Sequence, residues 1–421
     1  MTFTELTREE FIEFSSNYPN SMFFQSPYWM DIKKDNGWNG RIVGLKDKDN
    51  KIVAATILLL KRVSIVKMNM VYAPRGFLLD YSNTEVLNTF VQELKKYLKK
   101  EKVLFLKINP YVKYQERNTD GDIIGEANNK VITDLKKLGF KHQGFYVTAK
   151  DKKDLEPRWL SVLNLENTEL DDLFKNMRST TRWSIRNGEK NSLRIIECDR
   201  NDLKEFKALM QHTADRRDFI DRPLEYYENI YDVLAKENLV KVLLVEINFK
   251  ELLDRTLDEK TKLEEKIARC EDNPKRSGEL KELTSQLEPL EKRISDLKTY
   301  NETYNGKKII AGGLYMLYGR QLVYLFGASY KEFMKYNSQY LLQWEMIKYA
   351  KEHNYQTFNF YGIDGDFSKE SKNYGLFDFK RGFNADVTEL IGEFDLVINK
   401  FMYGLYNIAF KTYKKIKKLK G

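Results

Sequence analysis

Apolar residues along the chain repeat with two different periods, and the switches between them mark out the elements. RIVGLKDKDNKIVAATILLL followed by MNMVYAPRGF predicts strand, turn, strand and a further strand. Val86, Leu87, Phe90, Val91, Leu94 and Leu98 then recur at helical spacing, and a second apolar run covers 103–108. The same succession returns later. KVLLVEIN, NGKKIIAGGLYMLY and QLVYLFGAS read as strands, Tyr340, Leu341, Trp344 and Ile347 as one helical face, and 358–361 as a closing strand. Gly76 precedes Asn109 by the same interval as Gly327 precedes Phe360. Two copies of one α+β unit are expected, each a meander followed by a helix and a strand. A cleft between two such halves is a natural substrate site.

One stretch breaks the parallel. Leu280, Leu283, Leu287, Leu290, Ile294 and Leu297 form a heptad seam, preceded by a weaker one at Phe249, Leu253, Leu263, Ile267 and Cys270. The turn chemistry of EDNPKRSG lies between them, so the two helices fold back as an antiparallel arm about 30 Å long, with Pro289 expected to kink the second. The expected organisation is a first half over 1–150 and a second over 151–248 and 305–400. The arm covers 249–304, and a basic amphipathic tail covers 401–421.

Charge changes the picture mainly at that tail. The chain of 421 residues carries a formal +9, and the last 21 residues hold six lysines and no acid, so the remainder carries only +3. Met402, Leu405, Ile408, Ala409, Tyr413, Ile416 and Leu419 recur at helical spacing among those lysines. This suits a helix lying on an anionic surface, lipid or RNA, and equally a solvated helix. Two cysteines and three scattered histidines make neither a disulfide framework nor a zinc spacing, so no metal site is expected. The longest apolar run, 52–60, is far short of a membrane span, and the acids of MTFTELTREEFIEF do not read as a signal peptide. A cytoplasmic protein, peripheral to the membrane at most, is expected.

Three segments could carry chemistry. FKNMRSTTRWSIRNGEK places Arg178, Arg182, Arg186 and Lys190 at four-residue steps, a cationic stripe suited to successive phosphates or simply a solvated face. In DRRDFIDRPLEYYENIY, Arg222 is restrained by the following proline, with Tyr226 one helical turn on. In NYGLFDFKRGF, Phe379 and Lys380 set a cation among aromatics. No histidine lies in these segments, so a His-centred base is not indicated. A meander, helix and strand also describe a GNAT-type acyltransferase half. The spaced glycines that would cradle a coenzyme A pyrophosphate are absent, so an acyl donor other than acetyl-CoA is expected.

With QSPYWMDIKKDNGW, YAPRGFLLDYSN, LKINP, LKKLGFKHQGF, EPRWLSVLNL, MRSTTRWSIRNG, DRPLEYYENIYDVL, LFGAS, YGLFDFKRGF and IGEFD in that order, the chain resembles the Fem family over essentially its whole length. These are the FemA, FemB, FemX and MurM-type aminoacyltransferases that build peptidoglycan interpeptide bridges. The resemblance implies an α+β fold of tandem GNAT-like domains with an inserted antiparallel coiled-coil arm. It implies transfer of Gly, Ala or Ser from aminoacyl-tRNA to the side-chain amine of the third stem residue of a precursor, lipid II or UDP-MurNAc-pentapeptide, with no cofactor. Lys33 and Arg222 would grip the precursor's diphosphate with Tyr226 beside them, and Phe379-Lys380 would face the tRNA acceptor end. Beside what the resemblance implies, we read the arm and the stripe Arg178, Arg182, Arg186 and Lys190 as tRNA contacts. Asn109 stands where the family often has an acid, and an amide cannot accept the amine's proton. The rival readings are transfer to a lipid headgroup or protein N-terminus, and a non-catalytic RNA-binding protein.

Overall fold

Both expected meanders form, and each heads its own mixed eight-stranded sheet. The computed structural model describes residues 1–148, 156–271 and 274–419, with side chains described as far as residue 410 at the C-terminal end. In the first sheet Asn39–Lys46, Ile52–Val63 and Met68–Ala73 are antiparallel neighbours, and Met68–Ala73 then runs parallel to Val103–Ile108. A parallel pair needs a crossover, supplied by the helix Thr84–Lys100. All six of its predicted apolar positions are buried. The second sheet repeats the plan: Val240–Asn248, Lys307–Tyr318 and Gln321–Ser329 antiparallel, the crossover helix Ser338–Glu352, then Thr357–Ile363 parallel to Gln321–Ser329.

The two sheets exchange strands. Phe394–Val397, late in the chain, pairs between Val103–Ile108 and Phe140–His142 in the first sheet. Lys113–Glu116 pairs with Asp386–Leu390 in the second. Such lacing fixes the halves against each other, and one apolar cluster runs across both: Phe24, Trp29 and Ile32 share it with Tyr227, Ile230, Met316 and Tyr318.

The arm replaces a turn. Where the first copy connects Lys46 to Ile52 through a short turn, the second leaves the paired ends Asn248 and Lys307 and returns through residues 249–306. Phe249–Glu271 forms the outward helix, and Ser277–Ser285 with Leu287–Thr303 the return. The return path is two helices rather than one kinked helix. Pro289 sits in the first turn of the second, where its missing N–H has no intrahelical partner to lose. Leu263, Ile267 and Cys270 are buried on one side of the seam and Ile294 and Leu297 on the other, and Lys260 reaches Glu291 across it at 2.7 Å.

Candidate active site

The two copies differ at one place. In the first, the parallel strands stay hydrogen-bonded to Ala73 and Ile108. In the second, the parallel pairing covers only Gln321, Leu322 and Val323 against Thr357, Phe358 and Asn359. Past that point the strands splay, and the wedge between them is a cavity of about 440 Å³ lined by Tyr324, Phe326, Gly327, Phe360, Tyr361 and Gly362. The divergence starts where Thr357–Ile363 bulges between Asn359 and Tyr361, with Tyr361 in the left-handed region at φ 65°. A bulky non-glycine residue rarely adopts that conformation, which costs on the order of 1–3 kcal/mol and clusters at functional sites.

Lys380 closes the wedge from the helix Tyr374–Arg381. It is buried, and its Nζ donates to the Gly362 carbonyl at 2.7 Å. Burial, with Arg217 adding to it, pushes the amine down to about 7. Phe379 lines the same cavity, edge-on to Tyr340 and Phe383. The two residues end the short helix Tyr374–Arg381, and both line the cavity.

Lys33 and Arg222 are brought together by two helices from opposite halves. Pro27–Lys34 packs on Leu224–Leu234, and Asn229 Nδ2 donates to the Ile32 carbonyl at 3.2 Å. Lys33 lies over the Trp29 ring at 4.3 Å and Arg222 over Tyr226 at 5.5 Å. Asp221 holds the turn, its Oδ1 accepting from the Arg222 N–H and the Tyr227 hydroxyl. Glu156 interacts electrostatically with both cations. Burial pushes the Lys33 ammonium down, Glu156 opposing and Arg222 reinforcing the shift. Burial in turn raises the Glu156 carboxyl, against Arg75, Tyr361, Lys33 and Arg222, which all favour its charged form.

Tyr361 joins the two groups. The residue lines the wedge, and its hydroxyl bonds Glu156. Arg75, buried, donates to the Pro157 carbonyl at 2.8 Å. Asn109 Oδ1 is committed to holding this loop, accepting from the Arg75 N–H at 2.8 Å and the Tyr72 hydroxyl at 3.1 Å. Gln25 braces the other side: it donates to the Pro74 carbonyl, and a Cβ on Gly76 would stand 2.7 Å from its Nε2. Sequence reasoning assigned no role to Arg75, Glu156 or Tyr361. The signals were there, an acid before a proline ahead of a strand and a lone arginine in an apolar turn. Their meeting depends on long-range topology.

The basic stripe is largely occupied within the protein. Arg178 pairs with Asp120 at 2.8 Å and Asp378 at 3.1 Å, Arg182 donates to the carbonyls of Lys175 and Met177, and Arg186 lies over Phe174. Lys190 and Trp183 are exposed on the helix Ser179–Lys190. Among the described residues no cluster of His, Cys, Asp and Glu is placed to hold a metal ion, and no helix is long and apolar enough to cross a membrane. The helix Lys400–Leu419 forms, while the tail's lysines beyond Lys400, with Tyr413, Ile416 and Leu419, lie outside the described side chains.

A sequence model of the FemAB family matches residues 6–411. Aminoacyltransferase FemA of Staphylococcus epidermidis is 33% identical over 431 residues, covering 99% of this chain and 100% of the relative. Aminoacyltransferase FemA of Staphylococcus aureus is 32% identical over 429 residues with the same coverage. The crystal structure of FemX superposes with a TM-score of 0.78 at 30% identity, covering 96% of this chain and 99% of that one.

Proposed function

The chain belongs to the FemAB family and is an aminoacyltransferase of peptidoglycan synthesis, and we propose that it moves glycine, alanine or serine from aminoacyl-tRNA to the third stem residue of lipid II. The observation that carries this reading is the buried Lys380 amine facing the wedge between the splayed strands. Lys33 and Arg222, with Tyr226 beside them, take the precursor's diphosphate. The aminoacyl ester enters the wedge beside Phe379. Lys190 and Trp183, with the arm, lie along the body of the tRNA.

The reaction is aminolysis. The stem amine attacks the ester carbonyl, a C–N bond forms, and the C–O bond to the ribose breaks. A lysine side-chain amine of ordinary pKa, about 10.4, arrives protonated and must shed a proton to attack. A second proton leaves the nitrogen as the amide forms, and the departing ribose oxygen needs one. An amine titrating near 7 suits both tasks. As the neutral base Lys380 accepts the proton, and as the ammonium it steadies the oxyanion and returns the proton to the ribose. Asn109 is held to the Arg75 loop and has no part in the transfer. Much of the remaining acceleration comes from seating two reactants in one orientation.

The test is incubation with lipid II and a panel of charged tRNAs, followed by mass spectrometry of the lipid. The reading expects a mass gain of one small residue on the third stem side chain. Gain on a phosphatidylglycerol or peptide acceptor instead, with lipid II untouched, refutes it.

A further inference from the structure

In the sequence only the tail suits an anionic surface, and it suits a solvated helix equally; the structure sets a second element beside it. The strands Ile52–Val63 and Met68–Ala73 turn over at residues 64–67. At that tip Val66 is buried while the neighbouring Ile65 is 69% exposed, flanked by the exposed Arg62 and Lys67. Val66 sits in one small apolar cluster with Leu104 and Phe105, and Met402, Tyr403 and Tyr406 of the helix Lys400–Leu419 pack on it. Tyr403 and Tyr406 lie 5.4 and 6.0 Å from the Phe105 ring. The backbone anchors the helix at its start, the Ile398 and Asn399 N–H groups both donating to the Leu104 carbonyl.

With that face of the helix packed inward, Phe401 is left 76% and Ile408 66% exposed, and Leu405 lies on the same side. Their spacing of four and three residues makes one apolar stripe. Both segments are free of acid: none occurs from Lys61 to Met70, and none after Asp395. Exposed aliphatic side chains rimmed by cations match a bilayer interface, where the apolar groups enter the acyl boundary and the cations meet acidic headgroups. RNA offers the cations phosphates but gives Ile65 and Leu405 nothing to enter.

We propose that the 64–67 hairpin tip and the outer face presented by Phe401, Leu405 and Ile408 form one docking face for an anionic bilayer. The face is independent of which acceptor the enzyme uses, so it stands apart from the proposed activity. It also explains how an enzyme with no helix among the described residues long and apolar enough to span would be held at a lipid-linked substrate.

The experiment is vesicle flotation with the full chain, comparing phosphatidylglycerol with phosphatidylcholine vesicles across a salt series. Wild type should bind the anionic vesicles and be released by salt. Ile65→Glu, which leaves the tail intact, should lower partitioning about tenfold or more, a factor of ten corresponding to 1.4 kcal/mol. Phe401→Ser with Ile408→Ser should do the same. Transfer to detergent-solubilised lipid II, measured in parallel without vesicles, reports the fold and the activity separately and should be unchanged. Wild-type partitioning of Ile65→Glu overturns the proposal, as does equal binding to neutral vesicles. Loss of tRNA binding in that variant, with vesicle binding intact, assigns the face to RNA and overturns it too.

Discussion

Replacing Lys380 by methionine should make the protein more stable while abolishing transfer. The residue is buried, with the Gly362 carbonyl as the hydrogen-bond partner of its Nζ. Its amine falls from an ordinary 10.5 to about 7 because burial penalises the charged form. A shift of that size corresponds to about 5 kcal/mol of penalty on the ammonium, and to about 4 kcal/mol near pH 7, where half the population is neutral. Because the folded pKa is depressed, the unfolded chain binds more protons between about 7 and 10.5. Wild-type stability therefore rises with pH through that window, and the penalty is complete below it. Methionine fills similar volume without the charge and gives up one hydrogen bond worth about 1 kcal/mol. The variant should gain about 3 kcal/mol near neutral pH, or about 3 °C in Tm for a chain of this length. That gain should shrink to nothing or reverse as pH approaches 10. Urea unfolding of both proteins across this pH range is the assay. A variant less stable than wild type at neutral pH, or a difference that does not change with pH, would refute the reasoning that an unbalanced buried ammonium sits at this position.

Glu156 shares Lys33 and Arg222 with the proposed diphosphate. Its charged form should compete with the precursor, so wild-type affinity should weaken as pH rises through the raised carboxyl pKa, and Glu156→Gln should flatten that dependence and bind more tightly at alkaline pH; calorimetry reads both. Leu297 is fully buried at the root of the arm, and Leu297→Ala should cost about 3 kcal/mol in urea unfolding, whereas an exposed or loosely packed root would lose under 1. Trp183→Ala with Lys190→Ala should weaken tRNA binding and flatten its salt dependence while leaving the precursor KM unchanged.

Much of this architecture is written locally. The helix Thr84–Lys100 buries the six residues its periodicity nominates, and both meanders form, each with its crossover helix. The arm too was legible, because a heptad seam is a short-range pattern. Strand exchange was not. Phe394–Val397 and Lys113–Glu116 look like ordinary short strands, and nothing in four residues says which sheet will take them. The site divides the same way. Arg222, Tyr226, Phe379 and Lys380 could be picked out by their neighbours in sequence. Glu156 gains its meaning only where Tyr361, Arg75, Lys33 and Arg222 converge on it, and Asn109 turns out to organise a loop. The stripe at 178–190 shows the opposite lesson. Four-residue spacing on a helix says nothing of the carboxylates Asp120 and Asp378, which arrive from distant parts of the chain to take up Arg178.

The most direct test of a two-seat site is single-turnover transfer by Arg222→Ala and Lys380→Arg, with charged tRNA saturating and precursor varied. If Arg222 holds the precursor and Lys380 handles the proton, extra precursor restores the Arg222→Ala rate. Lys380→Arg, permanently charged, stays slower by about 100-fold or more at every concentration. Full activity in Lys380→Arg, or a defect in Arg222→Ala that no amount of precursor repairs, contradicts the account.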